Sequence, residues 1–302
     1  MKSTTEALSR GTVLGAWLRL LRPQQWVKNA FVLTPLVFSG RFTDLRSVEQ
    51  ALAAFVAFCL VASGVYAGND VVDRHADRAH PTKRHRPVAA GVIPVGGALA
   101  VALTCVGLAL AIALAVHPAL AAIIATYLGL NVLYTLWLKR VVLLDVFTIA
   151  AFFVLRLLAG ATAIAVAPSI WLLLCGGLLA LYLGFAKRRH ELLLLGQQSG
   201  EHRSVLTEYS PMFLDQMSTV LLSVTVVSYI MYTVSQEKLA EVGSYALTGS
   251  TVFVLYGVFR YLYLVHQRQG GSPTETLLTD RSLIAAVLLW FGYCALVIYR
   301  PF

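Results

Sequence analysis

The sequence predicts an all-α integral membrane protein: a single bundle of nine transmembrane helices with its N-terminus on the cytoplasmic side. Three observations predict it. Of 302 residues, 58% are hydrophobic and only 13% charged, against about 25% charged in an ordinary soluble domain. The mean hydropathy is +0.73. Charge-free runs recur, several of them close to the about 20 apolar residues a helix needs to cross a bilayer. A soluble globule needs a charged surface that this chain cannot supply. That excludes a cytosolic enzyme, a disordered protein and, despite a net charge of +9, a nucleic-acid-binding domain.

The elements follow in chain order. Trp17–Leu21, with Arg19 and Arg22, reads as a short interfacial helix ended by Pro23. No apolar core of a signal peptide precedes it. The first span, 24–40, carries Lys28 and Asn29 near its start, and the second, 48–68, contains the charge-free run Ala51–Gly68. The run Pro87–Leu138 is too long for one crossing, and His117-Pro118 divides it into spans at 90–115 and 118–138. Span 141–165 carries Asp145 and Arg156, and a break near Pro168 separates it from 169–186. Spans at 213–236, 243–263 and 281–299 complete the set. Cys59, Cys105, Cys175 and Cys294 lie inside apolar runs without CxxC spacing, which suggests small apolar fillers rather than disulfides or zinc ligands.

Lysine and arginine fix the orientation. One side holds the N-terminal segment, the 68–90 loop, Lys139-Arg140, the 187–212 loop and the segment with Arg268. The other holds only Arg41, Arg46, Lys238 and Arg300, and Lys238 is read as an exposed cation. By the positive-inside rule the first side is cytoplasmic. The whole chain, 1–302, is expected to form one polytopic domain in the cell membrane, with an N-terminal interfacial segment at 1–23 and both charged loops on the cytoplasmic face.

The first charged loop reads NDVVDRHADRAHPTKRHRPVAAG, from Asn69 to Gly91. If the helix continues, Asp70, Asp73 and Asp77 fall within an arc of about 60°. Carboxylates so placed repel one another unless cations neutralise them. Mg²⁺ takes carboxylate oxygens and shares its remaining positions with water and substrate phosphates. Lys83, Arg84 and Arg86 then supply positive charge, as a polyphosphate needs. The alternative is a solvated loop whose acids pair with Arg74 and Arg78. Carboxylates at the end of a membrane span are costly and usually line a polar cavity, which favours the first reading. His75, His80 and His85 recur every five residues and share no helical face.

The second charged segment, Tyr182–Glu191, reads YLGFAKRRHE. Lys187 and Glu191 stand i, i+4 and pair readily on a helix. The cations there are either a snorkelling anchor or a second phosphate site, with Lys187, Arg188 and Glu191 as its candidates, opposite the first. Asp145 and Arg156 share a helix face but lie about 16 Å apart along it, too far to pair. Each needs a partner, a cavity or a substrate. Asn131 is read as a bridge between helices, and Lys28 and Asn29 as interfacial anchors or cavity residues.

Asn69-Asp70-x-x-Asp73-x-x-x-Asp77 resembles the NDxxDxxxD signature of the UbiA-type intramembrane prenyltransferases, and the likeness covers essentially the whole chain. It implies helices around a central cavity, with Asp70, Asp73 and Asp77 holding Mg²⁺ on a diphosphate, assisted by Asn69. The sequence departs from the general pattern where other members carry a second aspartate-rich stretch, because Lys187-Arg188-Arg189-His190-Glu191 stands there. RPQQWVKN at 22–29, HPTKRHRPVAAG at 80–91, LLDVF to LR at 143–156 and KRRHE resemble one branch, the polyprenyl-phosphate phosphoribosyltransferases. That branch implies phosphoribosyl diphosphate (PRPP) as donor and decaprenyl phosphate as acceptor. Lys28, Asn29, Lys83, Arg86, Lys139, Asp145, Arg156, Lys187, Arg188 and Glu191 are then the substrate-binding candidates. A conventional prenyltransferase with an aromatic or haem-like acceptor, or a transporter, are the competing readings.

Overall fold

The computed structural model describes residues 14–80, 83–195, 204–267 and 279–299. Arg268 and Arg300, used above for orientation, lie outside them. Among the described residues every regular element is helical. Eight helices are long and apolar enough to cross a membrane. These are α1 (Leu45–Val72), α2 (Val95–Val116), α3 (Pro118–Leu136), α4 (Leu144–Ala163), α5 (Ile170–Leu195), α6 (Pro211–Thr233), α7 (Thr251–Gln267) and α8 (Arg281–Tyr299). In the seventh crossing a short 3-10 segment, Tyr245–Ser250, extends α7 at its N-terminus.

The expected span at 24–40 is built differently. It is a 3-10 helix, Pro23–Leu33, followed by a five-residue α-helix, Thr34–Phe38. Its polar side chains are held by other elements: Trp26 Nε1 donates to Ser63 Oγ (3.0 Å), and Asn29 Oδ1 accepts from Arg156 Nε (2.8 Å). Pro35 also lacks the N–H that a regular α-ladder would use. The two "loops" differ from expectation as well. Lys187–Leu195 continues α5, so the second charged motif is helical.

The chain divides into two compact units. One comprises Met1–Leu36, Arg41–Val132 and Leu155–Ala167, the other Val37–Gly40, Leu133–Val154 and Pro168–Phe302. In the first unit α1 packs along α2. Asp44 caps α1, its carboxylate accepting from the backbone N–H groups of Arg46 and Ser47. Small residues then set the approach of the helices: Ala98, Ala102, Cys105, Ala109 and Ala113 form the buried stripe of α2. A Cβ at Gly64 of α1 would lie 2.9 Å from the Ala102 carbonyl oxygen. Lipid is as apolar as a leucine side chain, so close packing of small residues is what holds such helices together. Residues 14–21 are helical, and Ala16 and Leu20 are buried with Ala67, Val71, Val88 and Ile93. The N-terminal helix is thus part of a core as well as a candidate for the interface.

In the second unit α5 packs with α6, and α7 with α8. Arg260 of α7 forms a two-pronged ion pair with Asp280. Lys238 is not the exposed cation expected. It is 5% exposed, donates from Nζ to the Phe38 carbonyl (3.2 Å) and lies over the Tyr232 ring. Its long stem lets the ammonium reach a carbonyl from the short helix Gln236–Val242. Asn131 also differs: its Nδ2 donates to the Tyr127 carbonyl one turn back in its own helix (2.7 Å).

Gly160 of α4 sits against the 3-10 helix of the same unit, where a Cβ would lie 1.9 Å from the Val32 carbonyl oxygen. Gly160→Ala is therefore expected to destabilise the protein by about 1–3 kcal/mol through overpacking. Gly68, with nothing near a built Cβ, is the matched control. Thermal unfolding in detergent should show a lower midpoint for Gly160→Ala and little change for Gly68→Ala.

Candidate active site

The aspartate motif does not lie on one continuous helix. α1 ends at Val72, the chain turns at Asp73, and a new helix runs Arg74–Ala79. Asp70 stands in the last turn of α1 and Asp77 in the short helix, and the turn brings both carboxylates to one guanidinium. Arg86 Nη1 lies 2.8 Å from Asp77 Oδ2 and 3.3 Å from Asp70 Oδ1. A second guanidinium, Arg22, approaches Asp70 Oδ1 at 2.5 Å. The partners are thus Arg22 and Arg86, not the Arg74 and Arg78 that lie nearest in sequence.

Local structure explains how those arginines arrive. Arg22 has a left-handed backbone (φ 52°) just before Pro23, and its guanidinium lies 5.0 Å from the centroid of Tyr66. Ser63 of α1 fixes the segment, donating to the Leu21 carbonyl and accepting from Trp26. Arg86 follows the 3-10 turn Lys83–His85. The chain beyond it folds back, with the Val92 and Ile93 N–H groups both donating to the Pro87 carbonyl. Gly91 takes φ +75° in that turn, where a side chain is disfavoured. Val88 and Ile93 bury against α1 and the 14–21 helix. The loop carrying Arg86 is therefore anchored to the core, and Arg78 ties it further by donating to the Ala89 carbonyl.

Asp73 and Asn69 are half-buried, and neither side chain has a hydrogen bond or ion pair among the described residues. Lys83 is exposed. Lys28 donates to Gln25 Oε1 (2.7 Å). Asn29 and Arg156 form a separate buried group. Besides accepting from Arg156, Asn29 donates to Cys59 Sγ, and the Arg156 guanidinium lies over the Phe58 and Tyr127 rings.

The second unit carries the other cluster. Asp145 lies in the first turn of α4, at the end of the span rather than its middle, and is fully buried. Its Oδ2 is 2.9 Å from Nε of Arg188, which is only 1% exposed. Arg188 also pairs with Glu191, one turn on. Lys187 Nζ lies 3.9 Å from the other Glu191 oxygen, with its side chain 53% exposed. Arg189 pairs with Asp215 of α6. Three consecutive cations in sequence thus become one reachable ammonium and two committed guanidiniums. Lys139, in the 3-10 turn Leu138–Arg140, belongs to this unit and is half-buried.

Two of these residues escaped the sequence reading. Arg22 stood inside the quoted RPQQWVKN stretch, but a cation beside an interfacial helix looks like any other anchor. Tyr209, which donates to Asp145 Oδ1 (2.8 Å), carries no sequence signal at all.

The first cluster suits a divalent cation. Its donors are hard carboxylate oxygens, and Asp70 Oδ2 is buried with no hydrogen-bond partner among the described residues. No three metal-ligating side chains converge among those residues. Water and phosphate oxygens would complete the shell, as they commonly do for Mg²⁺.

Eight helices fit to cross a membrane, with an aspartate motif at the end of one, frame the site of a transferase family: the chain belongs to the UbiA prenyltransferase family, whose pattern matches residues 31–284. It is 34% identical over 288 residues to the decaprenyl-phosphate phosphoribosyltransferase of Corynebacterium glutamicum, covering 93% of this chain and 86% of that protein. With the enzyme of the same name from Mycolicibacterium smegmatis it shares 33% identity, covering 93% and 92%. Among solved structures, a UbiA homologue from Archaeoglobus fulgidus bound to GPP and Mg²⁺ has the same fold. Its TM-score is 0.69 at 19% identity, over 94% of this chain and all of that one.

Breaking the Asp145–Arg188 pair leaves a buried carboxylate without its guanidinium. Arg188→Ala is expected to cost about 3–5 kcal/mol of stability. Lys187→Ala, at an exposed position, should stay within about 0.5 kcal/mol of wild type. Thermal melts of both purified variants check this, and equal stability would contradict the assignment of Arg188 to the scaffold.

Proposed function

We propose that this chain transfers the 5-phosphoribosyl group of PRPP to a polyprenyl phosphate, decaprenyl phosphate in particular. The products are decaprenylphosphoryl-5-phosphoribose, a precursor of cell-wall arabinan, and diphosphate. The observation that carries this reading is the full-length likeness to two enzymes named for that acceptor and that group. The first cluster supports it chemically, because two guanidiniums beside two carboxylates can grip the oxygens of a diphosphate. Moving a prenyl group from prenyl diphosphate to an aromatic or haem-like acceptor would use the same cluster. That reading has only the wider family in its favour.

In the proposed reaction the ribose C1–O bond to diphosphate breaks, and its electron pair leaves with the diphosphate. C1 passes through an oxocarbenium-like state. An acceptor phosphate oxygen, already anionic, forms the new C1–O bond, so no strong general base is needed. Asp70, Asp73 and Asp77, assisted by Asn69, would hold Mg²⁺, which when bound supplies charge neutralisation on the leaving diphosphate. Arg22 and Arg86 hold phosphate oxygens of the donor. Lys187, with Lys28, Lys83, Lys139 and Arg156 as further candidates, holds the 5-phosphate or the acceptor phosphate. Arg188 and Glu191 orient Lys187. We assign the reaction to the cytoplasmic face of the cell membrane, on the distribution of lysine and arginine.

Purified protein with Mg²⁺ should release diphosphate only when PRPP and decaprenyl phosphate are both present. Asp73→Ala and Asp77→Ala should each lower turnover about a thousandfold or more, and excess EDTA should do the same to wild type. Lys187→Ala should lower kcat/KM roughly ten- to a hundredfold through loss of a charge-assisted contact, with Lys187→Arg intermediate. Full activity in EDTA would remove the metal from the scheme, and normal kinetics for both Lys187 variants would make that residue an anchor only.

A further inference from the structure

Four side chains of the second unit form a continuous chain of polar contacts that begins at a strained backbone. Leu143 has φ +66°, a left-handed conformation uncommon for a leucine. Its N–H donates to the Tyr209 hydroxyl (2.7 Å), and that hydroxyl donates to Asp145 Oδ1 (2.8 Å). Asp145 Oδ2 meets Arg188 Nε at 2.9 Å, and Arg188 in turn grips Glu191. Glu191 ends the chain beside Lys187, the exposed cation of the cluster.

The middle of the chain is buried. Asp145, Arg188 and Tyr209 are all at least 95% buried. In such surroundings a guanidinium turns only if its carboxylate turns, because neither group finds water as a substitute. Tyr209 holds the one carboxylate oxygen that Arg188 Nε does not face. It also ties the residue before α4 to the segment before α6. Phe213 stacks on the Tyr209 ring at 6.1 Å between centroids, which fixes the direction in which the hydroxyl points. Burial raises the phenol above its ordinary pKa, with the Asp145 carboxylate adding to the effect, so the hydroxyl keeps its proton and stays a donor.

We infer that Tyr209 is a positioning residue for substrate binding: through Asp145, Arg188 and Glu191 it sets where the Lys187 ammonium is presented. The inference rests on the phosphate-binding role proposed for Lys187 and extends it to a residue that touches no substrate. A purely structural tyrosine would contribute stability alone, and its loss would add to any Lys187 defect. A positioning tyrosine acts through Lys187, so its effect vanishes when Lys187 is gone.

The test is a double-mutant cycle on the purified full chain, with PRPP, decaprenyl phosphate and Mg²⁺. Tyr209→Phe keeps the ring and removes the hydroxyl. It is expected to lower kcat/KM about tenfold in the wild-type background and less than about twofold in Lys187→Gln. The loss should fall on the same substrate whose kcat/KM Lys187→Gln lowers. Glu191→Gln, which removes the charge at the half-buried end of the chain and leaves the Asp145–Arg188 pair intact, should reproduce the pattern if Tyr209→Phe accumulates poorly. Equal losses in both backgrounds, or wild-type kinetics for Tyr209→Phe, would overturn the inference and leave the proposed function standing. A wild-type protein that turns over neither substrate would overturn both.

Discussion

Every charge that this chain buries must meet an opposite charge or a set of dipoles, and that constraint shapes both charged clusters. Only 13% of the residues are charged, yet Asp70, Asp77, Asp145, Arg156, Arg188 and Lys238 are all buried. An unmatched ion in an apolar surrounding costs several kcal/mol. The fold answers with Arg22 and Arg86 for the two aspartates of the first motif, Arg188 for Asp145, a carbonyl and a ring for Lys238, and an amide and two rings for Arg156. The left-handed backbones at Arg22 and Leu143 both lie on these contacts. Backbone strain of this kind persists only where surrounding contacts over-determine it.

The pairing also changes what the clusters can do. In the first, two carboxylates balance two guanidiniums, so the group is neutral before any substrate arrives. In the second, Asp145 and Glu191 balance Arg188 and Lys187. Both signs stand together in each cluster, as the interleaved acids and bases of the sequence allow, but the partners differ from those that sequence spacing suggests. A polyanion and a divalent cation arriving together can exchange partners within such a group and leave its net charge little altered. This is a physical reason for a phosphate-rich donor to bind with its metal. The second cluster divides labour: Arg188 is part of the scaffold, and Lys187 alone among the three consecutive cations stands half exposed at its edge.

Much of the fold was legible because a membrane helix is written as an apolar run. The breaks at His117-Pro118 and near Pro168 fell where helices end. The 24–40 segment was misread because hydropathy reports length and apolarity, whereas its 3-10 geometry follows from side chains bonded to other elements. The aspartate motif was legible as a pattern, and its geometry was not, because the helix breaks at Asp73. Pairing was illegible throughout: Arg22 meets Asp70, and Arg188 meets Asp145, across 48 and 43 residues that sequence spacing cannot connect. Lys238 was misread for the same reason, because its carbonyl partner lies 200 residues away.

The central claim is that a phosphoribosyl group, and not a prenyl group, is what this chain moves. Mass spectrometry of the lipid fraction tests it most directly. The purified protein is given Mg²⁺, decaprenyl phosphate, ribose-labelled PRPP, a prenyl diphosphate and an aromatic acceptor in one mixture. The account predicts that decaprenyl phosphate gains the mass of one labelled phosphoribosyl group and that the prenyl diphosphate survives. Unchanged decaprenyl phosphate beside a prenylated aromatic product would contradict it.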